Sequence, residues 1–364
     1  MKKIASVVGA RPNFIKLAPL HKLINDSKYA SLFEHIIIHT GQHYDFKLSE
    51  IFFTEFSLPP PTYNLDVGSA TPCLQIAEMI QKLEHLFHSL KIDIVLVYGD
   101  TNSTFAGALS ATKSSINVAH IESGLRSFDR KMPEELNRIL TDHISNFLYS
   151  PTKTALQNLR SENIQGEIIN TGDISVEIIK NAETKIENSL ILTQLKLEPK
   201  TYYLFTLHRS ENTNAKCLRS IIEIFNQIPE SKIVFPIHPR TTKILEQNNL
   251  YNKLKKCSNV ILIDPVGYID FINLIKYSIK VITDSGGTQK EAYLLNTPCI
   301  TIRNNTEWVE TINEGWNILT GIDVEKTTNA IINWFPQKKN NSNPIFGNGK
   351  TSNAIMDHLT KLLE

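Results

Sequence analysis

Three acidic positions in the first half of the chain are candidates for acid–base chemistry. Asp100 follows the apolar run Ile94–Tyr98, and Glu122 follows the run Val118–Ile121. Glu134 lies at the start of the next predicted helix. If the runs are parallel strands, their following residues meet at one edge of the sheet, where clustered carboxylates can act as general acid and base. A glutamate in a first helical turn also fits an ordinary helix start, and this alternative stays open for Glu134.

Two cationic residues, Arg11 and Lys16, follow the first apolar run, Ile4–Val8. Arg11 belongs to the segment Gly9-Ala10-Arg11-Pro12, directly after that run. The glycine allows a tight turn, and the helix predicted next offers free N–H groups and the positive end of its dipole. Arg11 and Lys16 would add charge for a bound anion. The alternative is a plain strand–helix turn with two solvated cations.

A glycine-rich segment in the second half, Asp284-Ser285-Gly286-Gly287, has the composition of a phosphate-binding turn. It follows the apolar run Lys280–Thr283 and precedes a predicted helix, so Ser285, Gly286 and Gly287 would lie at a helix N-terminus. Glu291, one turn into that helix, could reach ribose hydroxyls. Neither GxxxxGK[ST] nor GxGxxG occurs here, so a turn that merely ends a strand is the alternative.

Two histidines also follow strand-like runs of the second half. His208 comes after Tyr202–Leu207, and His238 comes after Lys232–Ile237. His208 could bind a pyrophosphate or assist proton transfer, although a lone histidine at a strand end is more often structural. The spacing of the histidines indicates no metal triad.

The elements that must position these residues alternate between short apolar runs and helical patterns. The other runs are His35–His39, Phe147–Ser150, Ile168–Thr171, Val260–Ile263, Cys299–Ile302 and Trp316–Leu319. The helix candidates are Thr71–Leu90, Pro133–Asn146 and Asn353–Leu363. Nearly continuous apolar runs are typical of parallel strands buried on both faces, and their alternation with helices predicts the α/β class.

The alternation falls into two sets, which predicts two Rossmann-like, doubly wound domains facing a cleft. We place the N-terminal domain, with the carboxylates, at residues 1–172. The C-terminal, nucleotide-binding domain is placed at 173–350. Residues 351–364 are predicted to form a C-terminal helix that packs back on the first domain.

Bulk composition limits the classes of partner. The 364 residues carry 38 Lys and Arg against 37 Asp and Glu, a formal net charge of +1, which favours neither nucleic acid nor an anionic membrane as partner. The four cysteines form no CxxC pair and fit a reducing compartment. No apolar stretch reaches transmembrane length. We therefore expect a cytoplasmic protein without a structural metal.

Taken together and in order, the motifs resemble those of the non-hydrolysing UDP-N-acetylglucosamine 2-epimerases. The matching segments are Gly9-Ala10-Arg11-Pro12 with Lys16, His39-Thr40-Gly41-Gln42-His43, Gly99-Asp100-Thr101, His120-Ile121-Glu122-Ser123-Gly124-Leu125-Arg126, Pro133-Glu134-Glu135 with Asn137-Arg138, His208-Arg209 with Glu211-Asn212, and Asp284-Ser285-Gly286-Gly287 with Gln289 and Glu291. They span nearly the whole chain. The resemblance implies a fold like that of the GT-B glycosyltransferases, no cofactor, and a homodimer.

The resemblance also implies a reaction in which UDP is eliminated anti across C1–C2 and added back after protonation on the opposite face. It places Asp100, Glu122, Glu134 and His208 in catalytic positions. It places the following residues at the substrate: Arg11, Lys16, Gln42, His43, Arg138, His238, Ser285, Gly286, Gly287 and Glu291. No metal and no cofactor is implied, and the expected partner is a UDP-aminosugar.

One departure leaves the sugar open. Trp308-Val309 stands where many of these enzymes have an Arg-Pro pair, and Thr306–Glu310 resembles a branch that acts on UDP-2,3-diacetamido-2,3-dideoxyglucuronic acid. Three further alternatives remain: a hydrolysing 2-epimerase, a GT-B glycosyltransferase, and a catalytically inactive nucleotide-sugar sensor. The glycosyltransferase reading would leave the three carboxylates without a task.

Overall fold

The chain is built from two compact units of alternating strands and helices. The computed structural model describes residues 1–42, 53–209, 211–228, 230–337 and 344–363. One unit comprises Met1–Ala182 and Pro344–Glu364, and the other comprises Glu183–Asn343.

The first unit contains a parallel sheet of seven strands within the described residues, in the order β3-β2-β1-β4-β5-β6-β7. These strands are β1 (Lys2–Val8), β2 (Phe33–His39), β3 (Tyr63–Asn64), β4 (Ile94–Tyr98), β5 (Asn117–Ile121), β6 (Phe147–Ser150) and β7 (Glu167–Asn170). Its helices are Arg11–Ile24, Pro72–Leu90, Asn102–Lys113, Pro133–Ile144, Lys153–Ser161, Ile174–Glu187 and Thr351–Leu363. The strand order changes direction between β1 and β4, and in such sheets ligands bind at that point, outside the carboxyl ends of the strands.

The second unit contains a parallel sheet of six strands in its described part, in the order β10-β9-β8-β11-β12-β13. These strands are β8 (Tyr202–Thr206), β9 (Lys232–Pro236), β10 (Val260–Ile263), β11 (Val281–Thr283), β12 (Cys299–Thr301) and β13 (Asn317–Leu319). Its helices are Ile191–Gln194, Ala215–Asn226, Pro239–Gln247, Tyr251–Lys255, Tyr268–Tyr277, Gly286–Leu294, Val309–Asn313 and Val324–Asn333. Here the order changes direction between β8 and β11, directly before the glycine-rich segment.

Burial explains why the central runs form strands. All five residues of β4 are fully buried, and so is most of β1. Because helices cover both faces, a continuous apolar run is stable there without an alternating polar face. The predicted α/β class with two doubly wound units is confirmed by these sheets.

The unit boundary differs from the expected position. The division falls at residues 182 and 183, inside the helix Ile174–Glu187, rather than near residue 172. The chain rejoins the first unit at residue 344, before the expected helix at 351. The reason is local contact: Asp173 N–H donates to Phe346 O at 2.8 Å, so the loop before the last helix already pairs with the first unit.

The last helix, Thr351–Leu363, packs within the first unit. Ile355, Met356 and Leu359 are fully buried. The side chain of Ser352 donates to Glu177, and Tyr149 Oη lies 3.0 Å from His358 Nδ1. In the described part of the chain, no helix is long and apolar enough to cross a membrane.

Candidate functional site

A buried ion pair joins the first helix to the turn after β5. Lys16 and Glu122 are each about nine-tenths buried, and the Lys16 ammonium donates to Glu122 Oε1. Both groups lie against Gly99: a Cβ placed on that residue would lie 2.8 Å from Lys16 Nζ and 3.3 Å from Glu122 Oε1. Gly99 has φ +66°, a conformation that favours glycine. The turn after β4 and the turn after β5 therefore meet around one cation.

A second ion pair lies directly beside the first. Arg138, almost fully buried, donates from Nη2 to Asp100 Oδ2. Its other terminal nitrogen, Nη1, donates to Glu135 Oε2 at 2.7 Å. Since both ends of the guanidinium bind carboxylates, Arg138 is held at the candidate catalytic carboxyl, whereas the sequence suggested a contact to the sugar or phosphate.

Glu135, which sequence reasoning left without a role, is the buried support of this pair. Its carboxylate accepts hydrogen bonds from Ser127 N and Oγ at 2.9 Å and from Phe128 N at 2.8 Å, besides the bond from Arg138. Glu134, the neighbouring candidate, is half-buried in the first helical turn. The two adjacent glutamates thus differ in environment, and Glu134 is the one with access to solvent.

Glu122 has backbone φ +71°, which is unusual for a residue with a side chain. Such conformations cost on the order of 1–3 kcal/mol and persist only where surrounding contacts enforce them. The N–H groups of Glu122 and Ser123 both donate to Tyr149 O at 3.1 Å. A strained backbone that aims a buried carboxylate at a lysine is the kind of feature found at active sites.

The turn after β1 is organised by Asn13, another residue that the sequence reasoning missed. Asn13 Oδ1 accepts from the N–H groups of Gly9 and Ala10 at 3.2 and 3.0 Å, and Nδ2 donates to Tyr98 O at 2.8 Å. Arg11 is the first residue of the helix and is half-buried. Asn13 therefore ties the turn that presents Arg11 to the end of β4.

Gln42 lies at the same sheet edge. Its Oε1 accepts from Ser103 N at 3.0 Å and from Ser103 Oγ at 2.6 Å, at the start of the helix Asn102–Lys113. His43, the other candidate from this motif, lies outside the described residues. In the first unit the structure thus brings Lys16, Glu122, Asp100 and Arg138 into one cluster.

In the second unit, Ser285 caps the helix Gly286–Leu294, and its Oγ accepts from Thr288 N at 3.4 Å. Gly286 is buried, and a Cβ there would lie 1.9 Å from Glu307 Oε1. Gly287 is exposed, and no heavy atom lies within 4 Å of a Cβ built there. The first glycine is required by packing, whereas the second leaves its face of the turn open to a phosphate.

His208 stands beside this turn and is held by Asp284. The side chain of His208 is 55% exposed, and its Nδ1 lies 3.1 Å from Oδ1 of the fully buried Asp284. The same carboxylate accepts from Arg209 N at 3.0 Å and from Asn212 Nδ2 at 3.1 Å. Burial alone would raise the pKa of Asp284, but the charge of His208 and these hydrogen bonds lower it below its usual value. Asp284 thus orients His208 and leaves Nε2 turned away from the carboxylate.

The two remaining candidates also lie in the second unit. His238 is exposed and caps the helix Pro239–Gln247, its Nδ1 accepting from Arg240 N at 3.2 Å. Glu291 is half-buried in the helix that begins at Gly286. The capping bond gives His238 a structural task that its sequence position alone did not indicate.

Trp308 stands where many of these enzymes have an arginine, but a cation, Lys290, lies beside it. Its indole is buried, and Lys290 Nζ lies 4.3 Å from the ring centroid. Arg303 Nη2 donates to Glu307 Oε2 at 2.8 Å in the same segment. The indole Nε1 would also lie 3.4 Å from a Cβ on Gly286, so Trp308 packs beneath the glycine turn. No group of metal-ligating side chains suited to hold an ion occurs among the residues that the structure describes.

Asp284, Glu135 and Asn13 were missed for a common reason. Each acts through backbone N–H groups or another side chain, and in sequence such residues look like ordinary helix-start or strand-end polar residues. Only for Asp284 was there a signal, since it precedes the glycine-rich turn directly.

Comparison with known proteins gives consistent matches over the whole chain. A family model described as UDP-N-acetylglucosamine 2-epimerase matches residues 25–360. A UDP-N-acetylglucosamine 2-epimerase homolog of Methanococcus maripaludis is 52% identical over 99% of this chain and 100% of the relative. A UDP-2,3-diacetamido-2,3-dideoxy-D-glucuronate 2-epimerase of Pseudomonas aeruginosa is 40% identical over 99% of this chain and 100% of its own length.

Among solved structures, the Methanocaldococcus jannaschii UDP-GlcNAc 2-epimerase in complex with UDP-GlcNAc and UDP superposes with a TM-score of 0.92. It is 42% identical, and the match covers 99% of both chains. The predicted GT-B-like fold is confirmed by this similarity.

Proposed function

The chain belongs to the UDP-N-acetylglucosamine 2-epimerase family, and from this we propose that it interconverts UDP-N-acetylglucosamine and UDP-N-acetylmannosamine. UDP leaves C1 as the C2 proton is removed, and UDP is added back after C2 is protonated on the other face. The product is therefore again a UDP-sugar. The intermediate is a 2-acetamidoglucal.

The reaction requires a base that removes the C2 proton, an acid that returns a proton on the other face, and stabilisation of the departing UDP. The C2 proton is not adjacent to a carbonyl and is only weakly acidic, so departure of UDP must assist its loss. We assign acid–base catalysis to Asp100, Glu122 and Glu134 of the first unit. Arg11 and Lys16, together with His208, stabilise the diphosphate charge as the C1–O bond breaks.

Nucleotide binding is assigned to the second unit. Ser285, Gly286 and Gly287 present the N-terminus of a nine-residue helix, where free N–H groups and the helix dipole favour phosphate. We assign Glu291 to accept hydrogen bonds from the ribose hydroxyls. Gln42, His43, Arg138 and His238 complete the proposed substrate-binding set, with Arg138 acting through Asp100.

The observation that carries this proposal is the pairing of Lys16 with Glu122 directly beside Gly99-Asp100. Two carboxylates at neighbouring strand ends with a buried cation between their turns suit proton removal and return at one carbon. A glycosyltransferase needs a nucleotide site but has no use for this second carboxylate.

Proton NMR of the protein with UDP-GlcNAc in D2O tests the function. We expect UDP-ManNAc carrying deuterium at C2. Free N-acetylmannosamine with UDP would instead establish the hydrolysing reaction, and sugar transfer to an added acceptor would establish a glycosyltransferase. Binding of UDP without any turnover would indicate a sensor.

Two observations favour a second substrate. Trp308, which stands where many of these enzymes have an arginine, is buried against Lys290, and the relative from Pseudomonas aeruginosa that is 40% identical is a diacetamido-dideoxyglucuronate 2-epimerase. If UDP-GlcNAc is not converted, UDP-2,3-diacetamido-2,3-dideoxyglucuronic acid is the next substrate to assay. Preference is then decided by the ratio of kcat/KM for the two sugars.

The biological setting is part of the proposal. We infer a cytoplasmic enzyme that supplies activated aminosugar for surface polysaccharides, and free thiols at Cys73, Cys217, Cys257 and Cys299 fit a reducing compartment. We also infer a homodimer, as the family resemblance implies. Sedimentation velocity measured over a range of protein concentrations tests the homodimer.

A further inference from the structure

A fully buried histidine, His120, lies in β5 beneath the two carboxylate-bearing turns. Both ring nitrogens make short contacts: Nε2 lies 2.7 Å from Gly99 O, and Nδ1 lies 2.7 Å from Asp142 Oδ1. A carbonyl oxygen can only accept a hydrogen bond, so Nε2 must carry a proton.

Asp142 is an acceptor on its other oxygen as well. Oδ2 accepts from Gly124 N at 3.0 Å and from Arg126 Nη1 at 2.7 Å. Burial alone would raise the pKa of Asp142, but the charges and hydrogen bonds of His120 and Arg126 lower it. Because its Oδ2 is ion-paired with the Arg126 guanidinium, Asp142 acts as a carboxylate acceptor at Oδ1 as well, and Nδ1 of His120 donates to it, so that both ring nitrogens carry protons.

Each charged group of this network has a partner of opposite sign. Arg126 binds Glu162 through Nε and Nη2, each at 2.7 Å, in addition to Asp142. Two cations and two carboxylates therefore alternate as His120, Asp142, Arg126 and Glu162. A buried charge is tolerated when paired and hydrogen-bonded in this way.

The contacts of this pair reach both candidate catalytic turns. Through Nε2, His120 holds the carbonyl of Gly99, the residue before Asp100. Through Asp142, it holds the N–H of Gly124, two residues after Glu122. Since Gly99 also packs against the Lys16–Glu122 pair, a shift of either turn would change the distance between Asp100 and that pair.

We propose that His120, hydrogen-bonded through both ring nitrogens to Gly99 O and Asp142, is a positioning residue that fixes the Asp100 turn and the Glu122 turn relative to each other. The proposal rests on the proposed function for its kinetic consequences and not for the charge state. It assigns the buried histidine to alignment of the carboxylates and not to proton transfer, because neither nitrogen is available to a substrate.

The charge state is tested directly by NMR of the protein labelled with 15N in its histidine rings. The His120 signals are identified by their absence from His120→Gln. We expect both ring nitrogens to carry protons, as the two hydrogen bonds require. A ring nitrogen without a proton would overturn the proposal, whether or not the protein is an active epimerase.

The positioning role is tested with two amide variants. The glutamine amide nitrogen in His120→Gln can replace Nε2 and keep the bond to Gly99 O, whereas the asparagine nitrogen in His120→Asn can replace only Nδ1. We expect kcat to fall about 10- to 100-fold in His120→Asn, with KM nearly unchanged, and to fall less in His120→Gln. His85→Gln, an exposed histidine on the helix Pro72–Leu90, is the matched control.

Circular dichroism and UDP titration establish that each variant is folded. Wild-type kcat in a folded His120→Asn protein, or an equal loss in both variants, would refute the positioning role. If the wild-type protein converts neither candidate sugar, the proposed function fails, while the NMR result still decides the charge of His120.

Discussion

Among single residues, two of the three candidate catalytic carboxylates, Glu122 and Asp100, each form an ion pair with a buried cation. Lys16 pairs with Glu122, and Arg138 pairs with Asp100 and is itself held by Glu135. The sequence could identify Asp100, Glu122 and Lys16, because each follows a recognisable strand. It could not reveal which cation meets which carboxylate, since that depends on side-chain direction after folding.

Replacement of Glu122 by glutamine should remove the acid–base function and preserve the fold. The amide can still accept from Lys16, but it cannot exchange a proton with C2. We expect kcat to fall about 100- to 10,000-fold with UDP affinity nearly unchanged. Deuterium incorporation at C2 and UDP calorimetry measure the two effects, and wild-type turnover would remove Glu122 from the mechanism.

Among the strands and helices, the sequence predicted the buried strands, because burial of both faces leaves a continuous apolar run. It missed elements whose position depends on contacts with neighbouring strands. The runs Ile94–Tyr98, Phe147–Ser150 and Val260–Ile263 match β4, β6 and β10 residue for residue, because buried parallel strands are continuous apolar runs. The strand Tyr63–Asn64 was missed, since two residues at a sheet edge carry no periodic signal. The predicted helix Pro133–Asn146 ends at Ile144 in the structure.

Gly286 packs too closely against Glu307 to tolerate a larger side chain. In Gly286→Ala, the new methyl group would lie 1.9 Å from Glu307 Oε1, so the turn or the Arg303–Glu307 pair must move. We expect a loss of about 1–3 kcal/mol in the free energy of unfolding together with weaker UDP binding.

Gly287→Ala is the matched control for the fold, because no heavy atom lies within 4 Å of the added carbon. Its urea midpoint should equal that of wild type or exceed it, since alanine favours helix. If both variants unfold at the same urea concentration, packing beneath Gly286 does not shape the turn.

A contact between two elements makes stability depend on pH. Nε2 of His35, in β2, is hydrogen-bonded to Ser6 Oγ at 2.8 Å. Its Nδ1 lies 3.0 Å from Nδ1 of His21, in the helix Arg11–Ile24. Burial, and secondarily the charge of His21, lower the pKa of His35 to about 3. The folded-state pKa is below the unfolded value, so this stabilising contribution is present above pH 6.5 and is lost as the pH falls toward 3.

Between pH 7.5 and pH 5 we expect the free energy of unfolding to fall by about 1–2 kcal/mol through His35. His35→Asn should show a smaller difference between the two pH values in urea titrations. The exposed control His85→Asn should keep the wild-type difference. An unchanged pH dependence in His35→Asn would mean that this ring does not control acid stability.

At the scale of the whole molecule, the first unit is assembled from two separate stretches of chain. Residues 344–363 complete it through Ile355, Met356 and Leu359, which are fully buried, and through the Lys28–Asp357 ion pair at 3.0 Å. The sequence indicated the helix but not how early the chain returns, because the contact between Asp173 and Phe346 has no local pattern.

Met356→Ala should therefore destabilise the first unit although it is distant in sequence from that unit's strands. Removing a fully buried methionine side chain costs about 2–5 kcal/mol. Hydrogen exchange of β1 and β4 amides measures the loss within that unit. Lys361→Ala, an exposed position on the same helix, should leave exchange unchanged; equal protection in both variants would contradict the role of the helix in that core.

This return of the chain has a consequence for synthesis on the ribosome. Domains made first generally fold first, as each emerges complete from the exit tunnel. Here residues 1–182 emerge without the helix Thr351–Leu363, and the whole stretch 183–343 is translated before that helix follows. The unit that bears the carboxylates is therefore begun before the second unit and completed after it, and in the nascent chain its surface at the helix Arg11–Ile24 and at Tyr149 stays uncovered until the helix Thr351–Leu363 emerges.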